Sequence, residues 1–215
     1  MNINILGGGP IQLLPLLTKY ETEQDRWIGV DKGVITLFSL GIKPISAFGD
    51  FDSVTVSELA NIKEIVGELH QYRPEKDETD MELAVSWAKE QRPNKIRIFG
   101  ATGGRLDHFF ANIQLLIKPI LDGNHVPIEI IDQKNIVFLK APGSYPIKKS
   151  LEKKYISFIP ISAEIHDLSL EGFKYPLKNR HILLGSTLCI SNELINDYGN
   201  FSFSTGILMV VRSND

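Results

Sequence analysis

Ile45-Ser46-Ala47-Phe48-Gly49-Asp50-Phe51-Asp52-Ser53 joins an apolar run of strand character to a loop that carries two carboxylates. In open parallel sheets, ligands bind outside the carboxyl ends of the strands. Acidic residues directly after a strand are therefore candidates for ligand chemistry as well as for turn formation. The stretch predicts a sheet strand that leads into a ligand-binding loop.

The same alternation of strand and amphipathic helix extends in both directions from this loop. Strands are predicted at residues 3–6, 27–30, 45–48, 69–72 and 96–99, and helical stretches at residues 11–17, 34–40, 80–90 and 106–117, with Pro119 ending the last helix. Thr79-Asp80-Met81-Glu82 has the capping-box pattern, which places a helix start at Asp80. The alternation predicts repeated βα units around a parallel sheet.

From about residue 128 the periodicity changes to short alternating strands separated by turn residues, as in Tyr155-Ile156-Ser157-Phe158-Ile159. This half is predicted to be all-β. Leu121-Asp122-Gly123-Asn124-His125 is polar and turn-rich, and it marks the change in periodicity. It is the predicted junction between a domain of residues 1–122 and a domain of residues 128–215.

Composition limits the classes of partner. A net charge of -3 and a pI near 6.0 give no basic surface for nucleic acid, so none is expected as a partner. No apolar run approaches the roughly 20 residues of a membrane span, so no membrane association is expected. The single cysteine, Cys189, excludes an internal disulfide and fits a reducing compartment. We therefore expect a soluble cytoplasmic protein.

Glycines and carboxylates follow every predicted strand of the first half. These strand exits are Gly7-Gly8-Gly9, Asp31-Lys32-Gly33, Gly49-Asp50-Phe51-Asp52-Ser53, Lys76-Asp77-Glu78-Thr79-Asp80 and Gly100-Ala101-Thr102-Gly103-Gly104-Arg105-Leu106-Asp107. Backbone N–H groups of glycine loops and helix N-termini bind phosphate oxygens, while carboxylates hold a bridging metal. The convergence favours Mg²⁺-dependent phosphoryl transfer.

Within this set, Asp50 and Asp52 are the predicted Mg²⁺ ligands, and Arg105 supplies a planar guanidinium for a phosphate. Each residue also has a purely structural interpretation. A single aspartate after a strand can cap the next helix, and Gly7-Gly8-Gly9-Pro10 can be only a tight turn. His108 is more typical of packing or capping than of acid–base catalysis.

Three of these motifs, in this order and spacing, resemble thiamine pyrophosphokinase: Gly49-Asp50-Phe51-Asp52-Ser53, Lys76-Asp77-Glu78-Thr79-Asp80 and Gly103-Gly104-Arg105-Leu106-Asp107-His108. In the second half, Gly172-Phe173-Lys174-Tyr175-Pro176-Leu177 and Ser191-Asn192 resemble that family's β-domain motifs. The resemblance therefore covers nearly the whole chain.

The resemblance implies an N-terminal α/β nucleotide-binding domain that binds ATP and a C-terminal β-sandwich that binds thiamine and forms a homodimer. It also implies the reaction, in which ATP and thiamine give thiamine diphosphate and AMP with Mg²⁺. The thiamine site would combine the α/β domain of one subunit with the β-domain of the other.

The resemblance also implies roles for individual residues. The catalytic set is Asp50, Asp52, Asp80, Arg105 and Asp107, of which Asp50 and Asp52 hold the metal; the nucleotide and cofactor set is Asp31, Gly33, Ser53, Lys76, Asp77, Thr79, Gly103 and Gly104; and Ser191 and Asn192 face thiamine. Lys76 can contact a phosphate or pair with Asp77 or Asp80. Gly206-Ile207-Leu208-Met209 is aliphatic where some family members carry an aromatic residue that stacks on thiamine.

Two other classes of function fit the same acidic edge. One is a different Mg²⁺-dependent phosphatase or nucleotidyltransferase. The other is a sensor that binds a nucleotide or thiamine without catalysis.

Overall fold

A computed structural model describes residues 1–51, 55–73, 75–123 and 126–215. Asp52 and Ser53, predicted as metal and cofactor ligands, lie outside these described residues. The chain divides into two compact units, residues 1–119 with 124–133 and residues 120–123 with 134–215.

The first unit contains a six-stranded parallel sheet. Its strands are β1 (Asn2–Leu6), β2 (Asp25–Val30), β3 (Ser46–Gly49), β4 (Glu68–Gln71), β5 (Lys95–Phe99) and β6 (Ile128–Ile131). They lie in the order β6-β5-β1-β2-β3-β4, and every neighbouring pair is parallel. The predicted α/β class is therefore confirmed.

The central strand explains why the apolar runs of this half are so continuous. Ile3, Ile5 and Leu6 of β1 all have no exposed surface, although alternate residues of a strand point to opposite faces. Both faces of the sheet are therefore covered at β1, as is usual for parallel sheets.

Five α-helices are present among the described residues: α1 (Lys32–Ser39), α2 (Val56–Ile65), α3 (Asp80–Glu90), α4 (Leu106–Gln114) and α5 (Ile117–Leu121). None of the described helices is both long enough and apolar enough to span a bilayer. The predicted bounds of α3 are confirmed. Its Thr79 Oγ1 accepts the N-capping hydrogen bond from the backbone N–H of Glu82 at 3.1 Å.

The helix predicted at residues 11–17 is wrong. Two short 3-10 segments, Ile11–Leu13 and Leu17–Tyr20, replace it. Pro15 interrupts the stretch, and Leu14 before it is extended, with φ −69° and ψ 137°. The proline ring disfavours the α conformation in the preceding residue, so the apolar spacing cannot be realised as a helix.

The helix predicted at residues 106–117 ends earlier than expected, at Gln114. Pro119 does not end it but lies buried in the first turn of α5. The first turn of a helix has no intrahelical acceptor for its N–H groups, so proline is tolerated there.

The second unit consists of two antiparallel sheets. Its strands are β7 (Asn135–Lys140), β8 (Gly143–Lys148), β9 (Tyr155–Pro160), β10 (Glu164–Glu171), β11 (Leu177–Leu183), β12 (Asn192–Glu193), β13 (Tyr198–Phe203) and β14 (Leu208–Ser213). One sheet has the order β12-β9-β14-β7 and the other β11-β10-β13-β8. One buried cluster joins Phe158 and Val210 of the first sheet to Leu170 and Phe201 of the second, which makes the unit a β-sandwich.

The change of periodicity near residue 128 does not coincide with the boundary of the compact units. β6 begins at Ile128, but it pairs in parallel with β5 and belongs to the first unit. A buried strand of a parallel sheet and a sandwich strand have the same apolar appearance in sequence, so the apolar run alone does not distinguish them.

Phe158 offers a test of the sandwich core. Its ring is 1% exposed and lies 5.5 Å from the ring of Phe173 and 5.1 Å from that of Phe201, centroid to centroid. We expect Phe158→Ala to lower the free energy of unfolding by about 3–5 kcal/mol because it leaves a cavity in a packed core. Urea unfolding followed by near-ultraviolet circular dichroism measures the change. Leu151→Ala, at a side chain that is 92% exposed, is the control and should shift stability by less than about 0.5 kcal/mol. Equal midpoints for the two variants would contradict the proposed core.

Candidate functional site

A cleft of about 740 Å³ lies at the carboxyl ends of the parallel strands of the first unit. We call it the strand-exit cleft. It is lined by Gly7, Gly8 and Gly9 after β1; Val30, Asp31 and Lys32 at the end of β2; Asp50 after β3; Lys76, Glu78, Thr79, Asp80 and Met81 around the start of α3; Gly100, Ala101, Thr102, Gly104 and Arg105 after β5; and His108, Ala111 and Asn112 of α4. Its volume is in the range of sites for small molecules and cofactors.

The cleft opens at the point where the strand order reverses. β1 and β5 are neighbours, but the chain continues from β1 to β2 on one side and from β5 to β6 on the other. The loops that follow β1 and β5 therefore diverge and leave a crevice between them. The strand exits that were predicted to converge therefore line a single cavity.

The glycines of these two loops allow their backbones to touch. The backbone N–H of Gly9 donates to the carbonyl of Gly100 at 2.9 Å, and a Cβ at Gly9 would lie only 2.5 Å from that oxygen. Gly100 has a φ of +62°, which favours glycine. Gly7-Gly8-Gly9, for which a tight turn was one interpretation, forms part of the cleft wall.

Asp31 and Asp50 occupy neighbouring positions because β2 and β3 pair with Val30 opposite Phe48. The backbone N–H of Asp31 donates to the carbonyl of Phe48 at 2.9 Å. A Cβ on Gly49 would lie 2.4 Å from Asp31 Oδ1, so the carboxylate rests against the backbone that leads into Asp50. The two aspartates therefore line the cleft from neighbouring strand exits.

The backbone of Asp31 is also unusual. It precedes α1 at the N-cap position, yet its side chain makes no capping hydrogen bond, so helix capping does not account for this aspartate. Its φ of +51° is sparsely populated for a residue with a side chain. Backbone strain of this kind is concentrated at functional sites.

The N-terminus of α3 contributes a partly buried ion pair. Lys76 Nζ lies 2.7 Å from Asp80 Oδ1, and the two side chains are only 15% and 17% exposed. Of the alternatives for Lys76, the structure therefore contains the pair with Asp80. Thr79 lines the cleft while its hydroxyl caps α3. Asp77 is exposed and is not among the described residues that line the cleft.

Arg105 and Asp107 form a second, exposed pair at the start of α4. Arg105 Nε donates to Asp107 Oδ1 at 3.1 Å, and Nη2 donates to Oδ2 at 2.5 Å. These hydrogen bonds from Arg105, together with one from the backbone N–H of His108, lower the pKa of Asp107 to about 2. Asp107 is consequently ionised at neutral pH and is a weak proton acceptor in this arrangement. It fixes the orientation of the guanidinium instead.

The other predicted glycines differ in their surroundings. A Cβ on Gly33 would lie 1.9 Å from the carbonyl oxygen of Leu6, so this glycine lets α1 approach β1 closely. A Cβ on Gly103 would lie 1.9 Å from Leu13 Cδ1, and one on Gly104 would meet nothing within 4 Å. Gly104 is therefore the glycine whose backbone is open to a ligand.

Several cleft residues were not predicted. His108, interpreted from the sequence as packing or capping, is exposed and lines the cleft. Lys32 also lines it, beside Asp31, although roles were predicted only for its neighbours Asp31 and Gly33. Asn112 is buried and its Nδ2 donates to the carbonyl of Ala101 at 3.2 Å, which ties α4 to the loop after β5. Asn112 could have been singled out from the sequence, because it is a polar residue on the inward-facing side of a predicted helix.

Thr102, the next residue of the same loop, makes a second contact that holds it. Its Oγ1 donates to Asp132 Oδ2 at 2.8 Å, and Asp132, directly after β6, is 6% exposed. The predicted domain boundary assigned Asp132 to the other half of the chain, so sequence reasoning did not connect the two residues.

In the second unit, the structure brings the two predicted β-domain motifs together. Asn192 is 2% exposed, its Oδ1 accepts from the backbone N–H of Tyr175 at 3.1 Å, and its Nδ2 donates to the Tyr175 carbonyl at 2.8 Å. These two hydrogen bonds join the motif at residues 172–177 to the motif at residues 191–192. Ser191 is exposed, with a φ of +56°, and its backbone N–H donates to Ser157 Oγ at 2.9 Å. Leu208, in the aliphatic stretch, is fully buried in the sandwich core.

The packing role of Gly33 can be distinguished experimentally from that of Gly104. We expect Gly33→Ala to lower the free energy of unfolding by roughly 1–3 kcal/mol, because its methyl group would overlap the Leu6 carbonyl. Gly104→Ala is the matched control, because its methyl group has open space, and it should change stability by less than about 0.5 kcal/mol. Chemical denaturation of both variants measures the difference. A Gly33→Ala protein as stable as wild type would show that α1 does not need this close approach.

Two family models match this chain. Residues 17–130 match the model described as thiamin pyrophosphokinase, catalytic domain, and residues 144–208 match thiamin pyrophosphokinase, vitamin B1 binding domain. The first match falls mainly on the parallel-sheet unit and the second on the β-sandwich.

Individual relatives resemble the chain over its full length. It is 55% identical over 213 residues to thiamine pyrophosphokinase from Bacillus subtilis (strain 168), covering 99% of each sequence. The crystal structure of thiamine pyrophosphokinase from Bacillus subtilis superposes with a TM-score of 0.94 at 52% identity and covers 100% of both chains. That of thiamin pyrophosphokinase from Geobacillus thermodenitrificans gives a TM-score of 0.91 at 48% identity, covering 100% of this chain and 98% of the other.

Proposed function

This chain belongs to the thiamine pyrophosphokinase family and is a thiamine diphosphokinase; we propose that it transfers the diphosphoryl group of ATP to the hydroxyethyl oxygen of thiamine, giving thiamine diphosphate and AMP. The main observation in support of this reaction is the strand-exit cleft, where glycine loops, helix N-termini and carboxylates meet at one edge of the sheet. This is the combination that polyphosphate chemistry requires.

The donor set fits a hard divalent cation. Asp31 and Asp50 contribute carboxylate oxygens to adjacent parts of the cleft, and oxygen ligands are those that Mg²⁺ prefers. Asp50, with Asp52 from the same loop and Asp31 beside it, would hold the ion. When bound, Mg²⁺ supplies charge neutralisation to the phosphate oxygens.

Positively charged side chains of the cleft bind and orient the polyphosphate. Lys32, at the start of α1, and Arg105, at the start of α4, both line the cavity. Two hydrogen bonds from the guanidinium of Arg105 to Asp107 orient this group, which remains exposed. Phosphoryl transfer depends mainly on positioning and charge stabilisation, which these groups provide.

Asp80 orients the thiamine hydroxyl or accepts its proton. The pairing with Lys76 at 2.7 Å fixes the direction of this carboxylate at the head of α3. Asp107 is the weaker alternative for this role, because its pKa of about 2 makes it a poor base.

Thiamine binding is assigned to the β-sandwich, with Ser191 as the exposed contact and Asn192 as the residue that shapes its loop. The active form is a cytoplasmic homodimer in which both subunits contribute to thiamine binding. Exposed apolar side chains in the second unit support this assembly: Leu183, Leu184, Leu188, Ile190 and Ile195.

An AMP-release assay tests the reaction and the substrate together. Purified protein with ATP and Mg²⁺ should release AMP when thiamine is present and little without it, and the second product should be thiamine diphosphate. Free phosphate or pyrophosphate in place of these products would indicate a phosphatase or nucleotidyltransferase. Ligand binding without AMP would indicate a sensor.

Asp50→Ala tests the metal-binding part of the proposal. We expect kcat to fall more than about a hundredfold, because stabilisation of transition-state charge by a metal contributes several kcal/mol and each 1.4 kcal/mol is a factor of ten. Asp52→Ala should behave in the same way. Asp122→Ala removes an exposed aspartate at the end of α5 and should leave kcat unchanged. Circular dichroism confirms folding, and wild-type AMP release by folded Asp50→Ala would rule out this role.

A further inference from the structure

Three side chains of the β-sandwich form a compact group on its surface. Glu164 Oε1 lies 3.0 Å from His166 Nε2, and Glu164 Oε2 lies 3.0 Å from His181 Nε2. The two imidazole rings are stacked, with centroids 4.3 Å apart and planes inclined by 30°. We call this group the Glu164 cluster. None of its members lines the strand-exit cleft.

Strand pairing places these three side chains together. Ile165 of β10 is paired with Ile182 of β11, and both side chains are buried in the sandwich core. The adjacent residues His166 and His181 therefore point to the other face of the sheet, where Glu164 also lies because it is two residues from His166. Side chains that face each other across paired strands are close enough to interact.

The backbone under the cluster is held on both sides. The carbonyl of His166 accepts from the backbone N–H of Ser204 at 3.0 Å, while β11 pairs with the other edge of β10. A register shift follows Ile165, and such bulges redirect side chains and are often found beside sites. The histidines are thus presented from a central strand and its neighbour, not from loops.

We propose that Glu164, His166 and His181 bind a divalent transition-metal cation of the Zn²⁺ class through two imidazole nitrogens and one carboxylate. The candidate ligand atoms all lie within 4.8 Å of one another. Metal–ligand bonds of about 2.0–2.1 Å place tetrahedral ligands roughly 3.3 Å apart, so side-chain rotations suffice to surround an ion. Solvent completes the coordination, because the side chains are 40–50% exposed.

A cation also suits the electrostatics of the cluster. The Glu164 carboxylate presents one oxygen to each imidazole, and carboxylate oxygens are ligands that divalent metal ions accept in mixed N/O sites. For both histidines to donate to it, each Nε2 must carry the single N–H proton of a neutral imidazole, whereas a metal ion binds the Nε2 lone pair. A metal ion replaces these protons and satisfies all three groups.

The ligand chemistry distinguishes this site from the proposed Mg²⁺ site. Imidazole nitrogen suits Zn²⁺, Co²⁺, Ni²⁺ and Cu²⁺, whereas Mg²⁺ requires oxygen ligands. Among the described residues, the cluster is the one group of three or more His, Cys, Asp or Glu side chains whose ligand atoms converge in this way. Excess Mg²⁺ should therefore not displace the cation.

Metal binding is tested on the full chain, without any polyhistidine tag and after treatment with a chelator. The protein is titrated with Zn²⁺ calorimetrically in excess Mg²⁺, and bound zinc is counted after dialysis. We expect one equivalent per chain, and a loss of affinity of more than about tenfold in His166→Ala or His181→Ala, since each removes a ligand. With Cu²⁺ as probe, electron paramagnetic resonance should show two nitrogen ligands in wild type and one in either variant.

His70→Ala is the matched control. His70 Nε2 also lies near a carboxylate, 3.3 Å from Glu68 Oε2, but that pair belongs to the first unit and is not part of a three-ligand group. This variant should retain the full equivalent of zinc. Zinc should also raise the melting temperature of wild type but not of the His166→Ala/His181→Ala double variant. Equal zinc uptake by wild type and the folded double variant, or no uptake by wild type, would overturn the proposal.

Discussion

The parallel pairing of β1 with both β2 and β5 is the constraint on which the cleft depends. Parallel strands end at the same edge, so every following loop must begin there. Since the chain turns to opposite sides after β1 and β5, the loops separate at that point and the crevice is a consequence of topology. Because Gly9 and Gly100 have no side chains, the backbones of these two loops can still contact each other beside the crevice.

Collecting carboxylates at one edge creates repulsion that the structure offsets with cations from nearby positions. Asp80 is paired with Lys76 four residues earlier, and Asp107 with Arg105 two residues earlier. Both pairs are local in sequence, so they form with little loop-closure entropy. Asp31 and Asp50 come together differently, through the register of β2 and β3, which makes their proximity a property of the sheet.

Features governed by local physics were the ones that sequence could predict. Five of the six parallel strands and the start of α3 follow from side-chain periodicity and capping, and the structure agrees with them. The false helix before Leu17 arose because apolar spacing was given more weight than Pro15, whose effect is also local. The pair of Thr102 with Asp132 depends on the pairing of β5 with β6, and a single sequence contains no information on it.

The two units differ in where reactive side chains can lie, because the faces of their sheets are covered differently. The central strand of the parallel sheet is covered on both faces, so polar groups gather at its carboxyl edge, where Asp31, Asp50 and Arg105 lie. An antiparallel sandwich covers only the inner face of each sheet, and its outer faces remain available to polar side chains. His166 and His181 lie on such a face directly behind the buried Ile165 and Ile182. The alternation that builds the sandwich core therefore also creates a rigid external surface, on which a second kind of site can form without disturbing the packing beneath it.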